Sequence, residues 1–476
     1  MKMTTPIPPD ITTPERVATC IGTLEFFDGV PTEETTAKAY DQLDFSRGIE
    51  AFLNGIPGAS MVAMRTGSRA VGGVDGTVGI FQDLMDSRSL FLTANTESIY
   101  YATWLDLKKG PLVIDSPPNV LAVLNDFWFR YVADLGNAGP DHGRGGKFLL
   151  LPPDYRGAVP DGYFTFRSRT YGNLMLGRGF LKDGSTRAAV ESIRHQLRVY
   201  PLSEADQPHE AKFVELSGRE MNTVHSNTFR FYEELNQIVQ EEPEDAYGPD
   251  MMGLFNSIGL IKGRPFAPDE RMRKILTDAV AVGNAIARSI DFRVRAREAR
   301  IYPDGHWNTP FVGGSYEWLT RGGARNFDAR TMFFYSATVN TPAMAVAMPG
   351  VGSQYASADL DSDGNVFDGA KTYRLRVPRN VPVKDFWSVV LYDTQTRSML
   401  QTDQQFPSFS SQTHPQPNAD GSVDVYFAPS RPADARNWVQ TIPGKSWFTI
   451  FRLYGPLESW FNKSWKLPDI EKITVH

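Results

Sequence analysis

The chain has 476 residues, of which 41% are apolar and 22% are charged, with 49 basic and 55 acidic side chains and a net charge of −6. This balance provides no general attraction to nucleic acid or to an anionic membrane. A chain of this length exceeds what one hydrophobic core organises, so we expect several domains. The single cysteine, Cys20, excludes an intramolecular disulfide and a Cys-rich metal site.

The chain carries no sequence signal for a membrane span or for export. No apolar run approaches the roughly 20 residues that cross a bilayer. The N-terminal residues also lack the apolar stretch of a secretory signal. We therefore expect a soluble protein, cytoplasmic as the sequence stands and periplasmic or secreted if the sequence is a mature form.

The N-terminal part is predicted to combine a helix with a series of strands. Residues 1–31 begin with a Pro- and Thr-rich stretch and are predicted to form an arm. Thr32 is a candidate N-cap for a helix that ends at the Gly-Ile-Pro-Gly stretch of residues 55–58. From residue 90 to 178, short apolar runs alternate with Gly and Pro turns, which indicates a β-rich domain with flanking helices over residues 32–200.

Residues 201–340 are predicted to form a mainly helical connecting region. Apolar residues recur at helical spacing from 209 to 242, and a second helix is predicted from about 269 to 300. The second segment ends in the charged run DFRVRAREAR, which is typical of a solvated face. A functional basic patch is the alternative interpretation of that run.

The C-terminal region has the clearest pattern in the chain. Between residues 359 and 468, β-prone runs are separated by turn signals such as Asp363-Gly364, Asp420-Gly421 and Pro443-Gly444. This spacing is typical of an antiparallel sandwich or barrel. Together the segments predict an α+β, β-rich protein whose last domain covers residues 341–476.

Two sets of short motifs resemble a pair of bacterial domains of unknown function, DUF1254 followed by DUF1214. The first set is Asn95-Thr96-Glu97-Ser98-Ile99-Tyr100, Trp104-Leu105-Asp106-Leu107 and Gly110-Pro111-Leu112-Val113. The second set includes Asp359-Leu360-Asp361-Ser362-Asp363-Gly364, Phe386-Trp387-Ser388, Leu391-Tyr392-Asp393, Asn437-Trp438 and Arg452-Leu453-Tyr454. In the first set, Glu97 and Ser98 replace the family's usual Asp and Thr. The resemblance implies two β-rich parts with a jelly-roll-like C-terminal domain, and it implies no established reaction.

The box at Asn95 supplies the first candidate site residues. On a strand, Asn95 and Glu97 would share one face and Tyr100 would take the other. An amide beside a carboxylate can orient a polar substrate or a water molecule, so Glu97 is a candidate general acid or base, with Asn95 and Tyr100 as candidate substrate-binding residues. The alternative is that Asn95 and Glu97 tie down a loop through backbone hydrogen bonds.

A second group of candidates is formed by charged residues in aromatic or Gly-rich surroundings. Arg130 and Asp134 lie in the run DFWFRYVADLG, where buried polar groups need partners, so a buried arginine–carboxylate pair is predicted. Such a pair can be purely structural; in a site, Asp134 is a candidate catalytic residue that orients its partners, and Arg130 is a candidate substrate-binding residue. Arg178 is a candidate for binding an anionic group. His142 is a candidate catalytic histidine in the Gly-rich loop PDHGRGG, and an ordinary solvated histidine is the alternative.

The remaining residue patterns give weaker evidence for a ligand or metal site, or none. Trp307 lies in an aromatic segment that could form the wall of a ligand site or a plug between domains. The Asp359-x-Asp361-x-Asp363-Gly364 stretch opens like a calcium loop, but the twelfth position is Ala370 and not an acidic ligand. No cofactor is predicted, because nucleotide-binding loops and zinc motifs are absent from the sequence. A divalent cation bound by carboxylates remains a possible addition, with no metal ligand assigned.

These observations favour an enzyme, a hydrolase or lyase that acts on a small organic or carbohydrate-like substrate between the two β-domains. The alternative is a non-catalytic carbohydrate-binding or assembly protein built on a jelly roll. A homo-oligomer is expected because sheet edges favour association. No nucleic-acid partner is expected.

Overall fold

The computed structural model describes residues 4–433 and 435–474. It is about 27% helix and 29% strand, which confirms the predicted α+β class. Residues 1–3 of the predicted N-terminal arm and the last two residues of the chain lie outside the described part. Of the described helices, none is long and apolar enough to cross a membrane.

The N-terminal region is a small antiparallel sheet followed by one long helix. The sheet contains β1 (Arg16–Thr19), β2 (Gly22–Phe27) and β3 (Val30–Pro31) in that order, and the helix is α1 (Glu33–Ala70). Thr32 caps α1 as predicted, because its hydroxyl accepts a hydrogen bond from the Thr35 backbone N–H (3.2 Å).

The prediction that this first helix ends at residues 55–58 is wrong. Helix α1 continues through Pro57, and its two neighbouring glycines are packing sites. A Cβ atom on Gly58 would lie 2.6 Å from the Trp128 ring, and one on Gly55 would lie 2.8 Å from Leu235. The glycines therefore allow close approach of neighbouring elements, which outweighs their low helix propensity.

The first β-rich region contains ten strands and one helix before residue 202. They are β4 (Thr77–Ile80), β5 (Ser89–Leu90), β6 (Ser98–Asp106), β7 (Leu112–Ser116), β8 (Val120–Asp126), β9 (Tyr131–Gly136), β10 (Gly146–Leu151), β11 (Phe164–Arg167), β12 (Gly172–Phe180), α2 (Arg187–Gln196) and β13 (Arg198–Pro201). Two short strands follow, β14 (Lys212–Glu215) and β15 (Met221–Asn222). The predicted helix from residue 209 is wrong in its first half, because β14 instead extends the sheet alongside β4.

These strands form two main sheets that pack against each other. The six-stranded sheet has the order β14-β4-β6-β12-β8-β9, and the four-stranded sheet has the order β11-β10-β7-β13. Ile99, Tyr101 and Met175 of the larger sheet pack with Ile114 and Phe148 of the smaller one. Because side chains alternate along a strand, the neighbouring residues of the larger sheet point to its other face. That second face forms one wall of the site described below.

The middle of the chain is helical and encloses the central core. It contains α3 (Arg230–Glu241), α4 (Pro249–Ser257), α5 (Glu270–Phe292), α6 (Phe327–Ser336) and α7 (Pro342–Ala345). Helix α5 matches most of the helix predicted from residue 269, and Asp269 caps it by accepting from the Met272 backbone N–H (2.8 Å). Helices α3 and α5 pack along α1, while α6 packs on α5.

The C-terminal region is a sandwich of two four-stranded sheets. Its elements are β16 (Ser353–Ala358), β17 (Thr372–Val377), β18 (Val383–Asp393), β19 (Ser408–Ser410), β20 (Val423–Ala428), β21 (Asn437–Gln440), β22 (Trp447–Pro456), α8 (Glu458–Phe461) and β23 (Glu471–Ile473). The sheet orders are β16-β22-β18-β19 and β21-β20-β17-β23. All named pairs within them are antiparallel except β20 with β21. The sheets do not close into barrels, and jelly-roll connectivity stays a prediction.

The outer face of the β16–β22 sheet packs toward the N-terminal part of the molecule. Tyr355 of β16 and Ile450 of β22 belong to the same core cluster as Tyr100 of β6 and Val123 of β8. The central core therefore lies between the six-stranded sheet, the first sheet of the C-terminal sandwich, and the middle helices. The site lies in this core.

Candidate functional site

A cavity with an empty volume of about 1190 Å³ lies where the three parts of the chain meet. Its walls come from the six-stranded sheet, from β16 and β22, and from α5 and α6 with the segments around them. Most of its lining is apolar, including Phe91, Leu176, Phe311, Phe333 and Ile450. A mainly apolar cavity with a few convergent polar groups is the usual form of a small-molecule site.

The six-stranded sheet places three polar side chains on the cavity wall by strand register. Arg178 pairs with Tyr100 of β6 on one side and with Leu121 of β8 on the other. Two residues further along, Leu176 and Asp134 both pair with Val123. All of these residues line the cavity. Strands lie about 4.8 Å apart, so the Leu176 and Asp134 positions are separated by about 10 Å across β8.

Arg178 brings an unneutralised positive charge into this wall. Among the described residues it forms no ion pair and no hydrogen bond, and its guanidinium lies 5.9 Å from the centre of the Tyr454 ring. Burial lowers the pKa of Arg178, but the nearby phenol groups of Tyr355 and Tyr100 more than offset it, so the pKa is raised and the residue stays charged. A partly buried cation without an acceptor is unfavourable, and an anionic ligand would remove that cost.

Arg452 enters the cavity from the opposite wall, and two of its N–H groups have acceptors within the protein. Its Nη1 donates to the Tyr392 hydroxyl (2.6 Å) and its Nη2 donates to the Thr93 carbonyl (2.5 Å). Burial lowers the pKa of Arg452, but Tyr392 and the Glu97 carboxyl outweigh burial and hold that pKa above its ordinary value. Arg452 therefore joins the two β-rich parts and contributes positive potential to the cavity.

Asp134 is a carboxyl group with no cation partner. It is 5% exposed, and burial raises the pKa of Asp134 to about 7 even though the hydroxyls of Thr341 and Tyr131 lower it. The Thr341 hydroxyl donates to its Oδ2 (2.8 Å), and the Tyr131 hydroxyl lies 3.4 Å from the same oxygen. Its Oδ1 has no hydrogen-bond partner in the described chain. A carboxyl with a pKa near neutrality can both release and accept a proton at physiological pH.

A pair of acidic side chains, Asp291 and Asp359, lines another part of the cavity. Asp291 lies in the last turn of α5 and accepts a hydrogen bond from the Ser336 hydroxyl. Asp359 follows β16 and is 8% exposed. Burial raises the pKa of Asp291 to about 7, and burial together with the charge of Asp291 raises the pKa of Asp359. The two carboxyls repel one another when both are ionised, so at least one of them keeps a proton near neutral pH.

The box at Asn95 forms a turn and not a strand, because β6 begins at Ser98. Asn95 lines the cavity, but its Oδ1 accepts from the Glu97 and Ser98 backbone N–H groups (3.1 Å each) and from the Ser98 hydroxyl (3.0 Å). Glu97 is buried outside the lining and accepts from the Thr96 hydroxyl (2.6 Å). Burial raises the pKa of Glu97 although Thr96 and Arg452 lower it. Asn95 and Glu97 thus stabilise a turn that lies next to Arg452.

The remaining predicted site residues lie elsewhere. Arg130 forms its ion pair with Asp126 (2.6 Å), and not with Asp134, at the edge of a second cavity. His142 is exposed on the loop after β9, outside the cavity lining. Trp307 is 0% exposed in the core of the C-terminal sandwich, where its Nε1 donates to the Pro468 carbonyl (2.9 Å). The structure therefore brings Asn95, Tyr100, Asp134 and Arg178 together and leaves these three apart.

The sequence interpretation missed four lining residues. Arg452 and Asp359 stand in stretches that resemble DUF1214, so the matched motifs were an available signal. Asp291 begins the charged run DFRVRAREAR, whose pattern predicts a solvated face. No motif in the sequence around Tyr355 indicates a site. Asp361, the neighbour of Asp359, turns away from the site, because its Oδ1 accepts from the Asp363 and Asn365 backbone N–H groups. Within residues 4–433 and 435–474, no group of three His, Cys, Asp or Glu side chains is placed to hold a metal ion.

Comparison with known proteins places the chain in a family. Residues 76–201 match the protein of unknown function DUF1254, and residues 352–458 match the protein of unknown function DUF1214. The protein belongs to the two-domain DUF1254/DUF1214 family. A search of curated proteins found no match.

One of two similar solved structures supports the fold. The VPA0106 protein from Vibrio parahaemolyticus is 18% identical, with a TM-score of 0.55 over 90% of this chain and 100% of that chain. An uncharacterised protein from Burkholderia cenocepacia is 13% identical, with a TM-score of 0.37 over 92% of this chain and 96% of that chain. The first similarity extends over both domains and the helical region between them.

Proposed function

We propose that this protein is an enzyme that binds a small organic anion in the central cavity. It cleaves a bond of that molecule, as a hydrolase or a lyase, and a side chain assists by proton transfer. The single observation that carries the proposal is the placement of Arg178 and Asp134 on one wall of an apolar cavity. One is a cation without an acceptor among the described residues, and the other is a carboxyl whose pKa lies at about 7. The pair supplies a binding group and an acid–base group at separate positions.

Arg178 and Arg452 together define where the anionic end of the ligand binds. Arg178 supplies the free donors, and Arg452 adds positive potential while its own donors stay bound to Tyr392 and Thr93. A planar guanidinium suits a carboxylate, because it can donate two parallel hydrogen bonds. The substrate class is therefore a small molecule with one carboxylate or a similar oxyanion.

The rest of the lining favours an apolar body for the ligand. Phe91, Leu176, Phe311 and Ile450 present few hydrogen-bonding groups. A sugar would leave most of its hydroxyls without partners in this region, which is costly in a water-poor site. This favours an alkyl or aryl carboxylate over the carbohydrate-like substrate that the sequence also allowed.

Asp134 is placed to transfer a proton to or from such a ligand. Its Oδ2 accepts from the Thr341 hydroxyl and lies 3.4 Å from the Tyr131 hydroxyl, while its pKa permits both protonation states near pH 7. General acid–base catalysis of this kind contributes about 10²–10⁴-fold to a rate. Asp291 and Asp359 form a second group that can carry a proton on another part of the lining.

The test is a screen of alkyl and aryl carboxylates, each paired with its uncharged primary amide. Thermal stabilisation and isothermal titration report binding, and mass spectrometry reports turnover. We expect carboxylates to bind and amides to fail, with affinity falling at least about tenfold in Arg178→Met. Arg187→Met, which changes an exposed arginine of α2, is the matched control.

Asp134→Asn separates catalysis from binding. This variant should bind the same carboxylate as the unmodified protein and lose about 100-fold or more in turnover. Full turnover in Asp134→Asn would refute the acid–base role. Binding without turnover by the unmodified protein across the whole panel would favour a non-catalytic binding protein instead.

A further inference from the structure

A second cavity, with an empty volume of about 1770 Å³ that includes open solvent, lies beside Arg130. It is formed by the β8–β9 turn, the segment before α4, and the start of α6. It is separate from the central cavity, and its lining differs in character. The arginines that line it are Arg130, Arg167, Arg169, Arg325 and Arg330.

Three of these guanidinium groups lie near one another in the cavity, two of them against the same ring and the third, Arg325, on a more exposed side chain. The Cζ atoms of Arg130 and Arg330 lie 5.9 and 5.8 Å from the centre of the same ring, that of Tyr247. Burial lowers the pKa of Arg325, and the positive charges of Arg330 and Arg130 lower it further. The third arginine therefore lies in the repulsive field of the first two.

The protein neutralises only part of this charge. Asp126 pairs with Arg130 (2.6 Å), whereas Arg330 donates to the Asn54 side-chain oxygen (2.5 Å) and Arg325 to the Glu317 carbonyl. The last two acceptors are neutral. Arg330 and Arg325 thus hydrogen-bond neutral acceptors and form no ion pair among the described residues. The exposed rim carries arginines and acids together, namely Arg167, Arg169, Asp245, Asp250 and Glu317, whose charges water and salt screen.

The same wall has more hydrogen-bond donors than acceptors. The indole N–H groups of Trp128 and Trp318 are buried without a hydrogen-bond acceptor among the described residues. One acceptor, the Asn340 Oδ1, is also unpartnered. Buried polar groups are normally satisfied, so these two indole groups are an unmet hydrogen-bonding capacity next to the cavity.

An aromatic stack makes the floor of this cavity rigid. The rings of Trp128 and Tyr247 are parallel, with an interplanar angle of 5° and centroids 4.1 Å apart, and Phe255 extends the stack. Held in this way, Tyr247 keeps its ring close to the arginines. Such a floor suits a flat organic group attached to the anion.

We infer that this second cavity binds the phosphoryl group of a small organic phosphate. A phosphate monoester carries about −1.5 to −2 charge at pH 7, which Arg330 and Arg325, both without a carboxylate partner in an ion pair, can offset. Its oxygens accept from guanidinium groups in the paired geometry that arginine favours. Phosphate as a free ion and phosphate on an organic group share this chemistry, and the volume of the cavity leaves room for the organic part.

The test is isothermal titration of the full chain with phenyl phosphate, inorganic phosphate and phenol at constant ionic strength. We expect phenyl phosphate to bind more tightly than inorganic phosphate, and phenol not to bind. Arg325→Gln should weaken phenyl phosphate at least tenfold, and Arg325→Gln with Arg330→Gln should abolish binding. Arg187→Gln is the control for loss of one exposed arginine and should bind like the unmodified protein.

Arg330 is buried and hydrogen-bonded to Asn54. Loss of phenyl phosphate binding in the double variant therefore counts only if its circular dichroism and unfolding midpoint remain close to those of the unmodified protein. Arg325 has an exposed side chain, and its single variant carries the test on its own. Failure of phenyl phosphate to bind, or unchanged affinity in Arg325→Gln, would overturn the inference. Arg178→Met keeps this cavity intact, so loss of phenyl phosphate binding in that variant would place the anion in the central cavity and also overturn it.

Discussion

The two walls of the central cavity use the same residue types in different ways. The wall from the six-stranded sheet contributes Arg178 and Asp134, and the facing wall contributes Arg452 and Asp359. Arg452 binds Tyr392 and Thr93, whereas Arg178 has no acceptor in the described chain. Asp134 is held by hydroxyls, whereas Asp359 is close to a second carboxyl.

This difference distinguishes structural polar groups from groups available to a ligand. Arg452 bonds across the boundary between the two β-rich parts, so its charge is used within the protein. Arg178 has the same charge and is partly buried, but it has no such use. The lesson is that burial and residue type do not identify a binding residue, whereas the state of its hydrogen bonds does.

The largest expected effect is on stability, from Arg452→Met. This variant removes one hydrogen bond between the β-rich parts, to Thr93, one within the C-terminal sheet, to Tyr392, and the positive charge beside Glu97, which should cost about 3–5 kcal/mol in the free energy of unfolding. Chemical denaturation followed by tryptophan fluorescence measures it. Arg178→Met is the matched comparison and should change stability by less than about 1 kcal/mol, because it breaks no protein contact of this kind. Equal losses in the two variants would contradict the distinction between the walls.

A smaller effect, with a defined pH dependence, is expected from Asp134→Asn. Because the folded pKa of Asp134 is about 7 and lies above the unfolded value, the folded state binds more protons between these values. The stabilisation of the folded protein by protonated Asp134 is therefore fully present below the unfolded pKa, and it is lost as pH rises from about 4 to 7. The asparagine variant avoids this loss and should be about 1–3 kcal/mol more stable than the unmodified protein at pH 8.

Denaturation curves at pH 5 and pH 8 check that prediction. Glu234, Glu242 and Asp291 also have pKa values raised to about 7 by burial, but they are present in both proteins and cancel in the difference. A stability difference that does not grow with pH would show that Asp134 is not the group responsible.

Glu97→Gln tests the residue that the sequence favoured as general acid or base. Glu97 lies outside the cavity lining and its hydrogen bond from Thr96 can also be accepted by an amide oxygen. We expect the affinity for a bound carboxylate to change by less than about twofold, or 0.4 kcal/mol. Titration of the ligand found in the carboxylate screen measures this. A tenfold or greater change would restore Glu97 to the site.

The smallest effect is expected from His142→Asn. His142 is exposed, with a backbone φ of 49°, a region that asparagine also tolerates. Stability should stay within about 0.5 kcal/mol and ligand binding should not change. Loss of turnover in this variant would mean that the loop after β9 reaches the cavity in the working enzyme.

Local patterns predicted those features that depend on neighbours in sequence. The α+β class, the cap at Thr32, the helix after Asp269 and the turns of the C-terminal region all follow from short stretches. The failures arose where distant contacts override local preference. Helix α1 passes through Pro57 because Trp128 and Leu235 pack against its glycines, and β14 forms because β4 is beside it.

The sequence by itself determined that Asn95, Tyr100, Asp134 and Arg178 are polar groups in an otherwise apolar, strand-forming region. Only the tertiary structure decided which of them face a cavity, because the register between β6, β12, β8 and β9 sets the facing side chains. It also decided that Arg178 lacks an acceptor while Arg452 has two. That distinction depends on Thr93 and Tyr392, whose approach to Arg452 is a property of the packed domains and not of any single stretch.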